Sequence, residues 1–156
     1  MRRAVLPILL GLGLAACGSE GTAPTDQRAR QCAAETRAAT YAPGMSELSS
    51  GGLEVRLVEN LVGDQPGAPD RGMNTLRLEV LDEAGVVHTD LPLRMKAWMP
   101  DHGHGTTPLF HDGEVDGEVI EVGPFDLHMA GFWELTVLVE RAGAEDPVVF
   151  AFCVEG

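Results

Sequence analysis

Basic residues are scarce in this 156-residue chain: 11 Lys and Arg stand against 24 Asp and Glu, for a formal net charge of −13. A surface that acidic repels phosphate backbones and anionic headgroups, which argues against nucleic acid as a partner. Cysteine is scarce too, with three residues and no Cys-x-x-Cys spacing, so the usual zinc and redox motifs are missing. No apolar run reaches the roughly 20 residues that a bilayer-spanning helix requires. Beyond Tyr41 no segment carries the three-to-four-residue stripe of an amphipathic helix. Gly-x-Ser-x-Gly and Gly-x-x-x-x-Gly-Lys are absent, as is a glutamate flanked by metal-binding histidines, and the chain reads as a non-enzyme.

What is present begins with an address. Arg2 and Arg3 precede an apolar run, Ala4 to Ala16, that is about 13 residues long and has the shape of a signal peptide. It ends in Leu14-Ala15-Ala16-Cys17, which resembles the lipobox of bacterial lipoproteins. That resemblance implies cleavage before Cys17, acylation of Cys17, and attachment to a membrane through lipid; two or more acyl chains anchor a protein firmly. Gly18, rather than aspartate, follows the cysteine, so in a Gram-negative cell the expected location is the periplasm-facing side of the outer membrane. Cleavage also removes two arginines, making the remaining chain still more acidic. Gly18 to Gln27 is polar and aperiodic, a flexible tether. Arg28 to Tyr41 is rich in alanine and arginine and is read as a short helix. Cys32 and Cys153, in an oxidising compartment and near opposite ends of the domain, read as a disulfide. The expected organisation is therefore signal peptide over 1–16, lipidated Cys17, tether and N-terminal segment over 17–41, and one domain over 42–156.

Within that domain apolar and polar residues alternate with a period of two. Leu53 to Glu59, Thr75 to Leu81, Leu93 to Met99, Glu118 to Val122, Phe125 to Met129, Trp133 to Glu140 and Val148 to Val154 all read as strands, with Val86 to His88 as a short additional one. Gly63 to Gly72 reads as a loop, and Asp112 to Glu118, an acidic run matching no calcium-binding loop, as a solvated turn. About seven short strands separated by turn signals predict an all-β, immunoglobulin-like antiparallel sandwich, with a closed barrel as the alternative.

Ligand chemistry is concentrated in Trp98-Met99-Pro100-Asp101-His102-Gly103-His104-Gly105. Of the five histidines, His102, His104 and His111 lie close together in sequence, and His111 is a third ligand candidate. In an extended or turning segment, residues two apart can point the same way, so one ion can reach both His102 and His104. Met99 ends the Leu93-Met95-Ala97 face and is either its last core residue or a rim ligand, whereas Met95 is core. A thioether with two imidazoles suits Cu(I), and imidazoles with Asp101 suit Cu(II). Asp101 is equally suited to orient an imidazole or to form a turn. His88 reads as surface.

Arg71-Gly72-Met73-Asn74, Asp82-Glu83-Ala84-Gly85, the Met99-to-Gly105 motif and Met129-Ala130-Gly131-Phe132-Trp133 together resemble the FixH-like/YtkA-like domain family of bacterial envelope proteins, over about Leu53 to Val154. The resemblance implies a small immunoglobulin-like sandwich outside the cytoplasm. FixH-type relatives accompany copper-dependent assembly of cytochrome oxidases; where they have a membrane helix, this chain has the expected lipid anchor. It also implies that Met129 or His128 lies near the Met-Pro loop and completes a site with Met99, His102 and His104; the competing account has Met129 and Trp133 packing the core. The functional expectation is a lipid-anchored envelope protein that binds or carries copper. The alternative is a metal-free scaffolding module that contacts another envelope protein. Convergence of His102, His104 and one sulfur or oxygen donor on a common point favours the first; imidazoles on opposite sides, or Met99 and Met129 shielded beneath the core, favour the second.

Overall fold

The structure, a computed structural model, describes residues 32–155. The expected signal peptide, Cys17 and the tether lie outside the described residues. Among the described residues no helix is long and apolar enough to cross a membrane. Nine strands follow in order among the described residues: β1 (Met45–Leu48), β2 (Glu54–Val62), β3 (Gln65–Pro66), β4 (Gly72–Leu81), β5 (Leu93–Met99), β6 (His104–Asp116), β7 (Val119–Leu127), β8 (Gly131–Arg141) and β9 (Ala144–Val154). All pairings are antiparallel, in the path β1-β2-β4-β7-β6-β5-β8-β9, with β3 on β2. The protein is thus all-β, a sandwich as expected, and seven of its strands are long.

One strand joins the two layers. β6 pairs with β5 over its first part and with β7 over Gly113 to Asp116. Because β1 also comes close to β9, the sheet wraps to a nearly closed, barrel-like sandwich. The hydrophobic period dictates what lies inside: Leu53, Val55 and Leu57, then Leu76, Leu78 and Val80, then Met95, Ala97 and Met99, then Trp133, Leu135 and Val137, each with at most 1 % of its surface exposed. Their polar neighbours form an outer ladder of ion pairs, among them Arg56 with Glu79 at 2.9 Å and Arg77 with Glu59 at 2.8 Å. The β8–β9 hairpin turns on Ala142 and Gly143, both at positive φ (54° and 78°), the backbone sign a two-residue hairpin of matching twist needs.

Several sequence expectations are corrected here. Asp112 to Asp116 is not a solvated turn but the end of β6, and the turn proper is confined to Gly117 and Glu118. The two strands expected at Glu118–Val122 and Phe125–Met129 are one strand, β7, ending at Leu127. Val86 to His88 forms only an isolated bridge, Leu81 to Val87. From residue 34 to Tyr41 the chain makes turns and bends rather than a helix. That segment lies against the sandwich instead: Cys32 is disulfide-bonded to Cys153 of β9, with the Cα atoms 5.4 Å apart. Ala39 N donates to Ala151 O at 2.8 Å, and Tyr41 packs edge-on against Phe152. The disulfide, the Ala39–Ala151 bond and the Tyr41 contact fasten the segment to β9 in place of a continued helix.

Candidate metal-binding end of the sandwich

Two connections meet at one end of the molecule. The β5–β6 turn runs from Met99 to His104, with His102 N and Gly103 N both donating to Met99 O (3.2 and 2.9 Å). Gly103 takes the left-handed conformation, φ 68°, which glycine adopts without steric cost. The β7–β8 connection, His128 to Ala130, crosses from one layer to the other. Since Trp98 of β5 pairs with Glu134 of β8, the tip of β5 and the start of β8 are neighbours, and His128 arrives beside the β5–β6 turn.

The result is a row of three imidazoles. The ring centroids of His102 and His104 are 5.8 Å apart, and those of His104 and His128 are 5.4 Å apart with the rings nearly parallel at 23°. His128 meets the edge of Trp133 at 5.8 Å. Register explains His104: it stands directly opposite Met99, and directly opposed residues of an antiparallel pair point to the same face. Its ring therefore sits at the mouth of the interior, half-buried, whereas His102 and His128 are exposed.

The other expected donors are placed differently. Met99 has 0 % exposure and belongs to the core, so its thioether is not a rim ligand reachable from solvent. Met129 is partly buried against the same core, and its carbonyl accepts the Trp133 indole N–H at 2.9 Å. His111, opposite Met95, lies away from the row. Its ring packs on Phe125 at 5.6 Å, and its Nε2 donates to Thr106 Oγ1 (2.9 Å), whose hydroxyl donates to Pro108 O (2.8 Å). Burial holds the His111 pKa below the usual imidazole value. Asp101 does not orient an imidazole: Arg37 Nη1 and Nη2 donate to its two carboxylate oxygens at 2.9 and 2.6 Å. These bonds hold Asp101 below the usual carboxylate range and raise the Arg37 pKa further. His88 lies elsewhere, between Asp82 (3.2 Å) and Asp90 (3.5 Å).

Among the described residues no three His, Cys, Asp or Glu side chains are arranged to hold a metal ion as they stand. The two successive separations, His102 to His104 and His104 to His128, are nevertheless near the spacing of co-ligating rings: with a metal–nitrogen bond of about 2.1 Å, two histidines on one tetrahedral ion place their centroids about 5 Å apart. Bringing their nitrogens to a common point requires ring rotation, which His102 and His128, being exposed, have room to make. The sequence reading named all three histidines among its candidates but not Arg37, sixty-four residues from its partner Asp101 and without a local signal to connect them. No family model, curated protein or solved structure matches this chain.

Proposed function

We propose that this is a cell-envelope protein, held to a membrane by lipid on Cys17, that binds or carries copper through His102, His104 and His128. The observation that carries the reading is the row of three imidazoles drawn from two separate connections, at centroid spacings of 5.8 and 5.4 Å. With Met99 sealed in the core, the donor set is nitrogen-based, which shifts the preferred ion from Cu(I) towards Cu(II). Met129 stays as a half-buried neighbour that can add soft character after a small rearrangement, and His111, bonded to Thr106, takes no part. Membership of the FixH-like/YtkA-like family is part of the same reading and supplies its copper-handling context.

The burial of Met99 is also the observation that favours the second reading, a metal-free module that contacts another envelope protein. Titration of the purified protein with Cu(I) and Cu(II) under competing chelators separates the two. The copper reading expects stoichiometric binding that is lost in H102A/H104A and weakened in H128A. Binding no tighter than that of scattered surface histidines, in the parent and variants alike, sinks it and leaves the interaction module.

A further inference from the structure

The turn that carries His102 has little packing of its own. Asp101, His102 and Gly103 are all exposed, and the turn is closed by the two backbone bonds to Met99 O. Its remaining tie comes from the N-terminal segment. Arg37 donates to both oxygens of Asp101 (2.9 and 2.6 Å), and through Nε and Nη2 to the two oxygens of Glu35 (2.9 and 2.6 Å). Its guanidinium lies over the Phe132 ring at 4.1 Å. A fork with both edges engaged and one face stacked has a single orientation, unlike the ordinary mobile surface pair.

The segment bearing Arg37 is itself tied down on either side, by the Cys32–Cys153 disulfide and by the Ala39 N to Ala151 O bond at 2.8 Å. Tyr41 adds a third anchor, its hydroxyl accepting from Asn60 N at 2.9 Å. An exposed ion pair between free side chains contributes little because ordering both of them offsets the attraction. Here most of that ordering is already complete, so the pair transmits the rigidity of β8 and β9 to the tip of the β5–β6 turn. The fork also occupies the Asp101 carboxylate, leaving nitrogen as the donor type the site presents.

We propose that Arg37 is a positioning residue for the imidazole site: by clamping Asp101 it holds His102 beside His104. This rests on the copper reading above. The test is a Cu(II) titration of the purified full-length protein against a competing chelator, with R37Q, R37K, D101N and R37Q/D101N beside the parent, and thermal unfolding of each as the control for folding. R37Q and D101N are expected each to weaken Cu(II) binding about fivefold, the size of a well-ordered ion pair, without moving the unfolding midpoint. The double variant is expected to be no weaker than either single, and R37K to recover part of the loss, since an ammonium keeps the charge but not the fork. Unchanged or tighter binding in R37Q overturns the proposal, as do losses that add in the double variant. If the parent takes up no Cu(II), the copper reading and this inference fall together; if it binds through His102 and His104 but R37Q does not differ from it, only the inference falls.

Discussion

Because β6 pairs His104 with Met99 and His111 with Met95, two histidines of one strand enter the interior face, yet they meet opposite conditions. His104 stands at the mouth beside two other imidazoles, while His111 is closed in by Phe125 and Thr106. Burial lowers the His111 pKa, so the folded protein prefers its neutral form, while the unfolded chain titrates near the ordinary value of about 6.5. Its contribution is complete above about pH 6.5 and is lost as pH falls from there towards the depressed folded value. Urea unfolding of the parent and His111→Gln between pH 7.5 and 5 will show the parent losing stability relative to the variant as pH falls; a constant difference would contradict this. Trp133 provides a second test at this scale. His128 meets the edge of its ring, so on the copper reading Cu(II) is expected to quench Trp133 fluorescence, at higher Cu(II) concentration in His128→Ala than in the parent, and with a smaller amplitude in Trp133→Phe, where only Trp98 remains.

At the scale of elements, β6 decides where the site is. Between the pairs Lys96–Phe110 and Trp98–Gly105 the residues Thr106 to Leu109 of β6 face a single residue, Ala97, of β5. Such a bulge accommodates Pro108, which has no N–H for the ladder, and bends the strand from one layer towards the other. Gly105 is required at its edge. A side-chain carbon there falls inside contact distance of the Ala97 carbonyl oxygen and 2.8 Å from Leu109 Cδ1. Gly105→Ala is expected to cost about 1–3 kcal/mol, the range of overpacked sites, measured by denaturant unfolding, and to weaken Cu(II) binding by displacing His104. Little of β6 was legible in the sequence, for a physical reason. Gly105-Thr106-Thr107-Pro108-Leu109 breaks the alternation, and the strand changes layers midway, so no single inward face runs along it. β4, β5 and β8 keep an unbroken buried face from Asn74, Leu93 and Trp133 onward and are correspondingly plain, as is β2 up to Leu57, beyond which a register shift moves the buried position to Asn60.

For the whole molecule, the Cys32–Cys153 bond spans 121 positions and fastens the N-terminal segment to the last strand. Removing it as C32S/C153S should lower stability by about 2–5 kcal/mol, read from the shift of the urea midpoint. The bond joins the edge of the domain rather than its core, so the β-sandwich circular dichroism spectrum should persist. A variant as stable as the parent would show that the contacts of Ala39 and Tyr41 suffice to hold the segment. The same variant should also weaken Cu(II) binding if the path from β9 through Arg37 to Asp101 orders the imidazole turn.

The sequence alone determined the all-β class, the inward residues of most strands and the Cys32–Cys153 pairing, and it named the three histidines of the candidate site, because each is written in local period, composition or count. Tertiary structure alone decided which donors share a place. Whether Met99 is core or ligand depends on where the interior ends, and that depends on β8 covering it from the neighbouring position. His128 joins His104 because the β7–β8 connection crosses between layers at the end where β5 turns, and Arg37 meets Asp101 because the disulfide lays a distant segment along β9. Those are contacts between parts of the chain far apart in sequence, set by the closing of two layers on one core, and no local pattern encodes them.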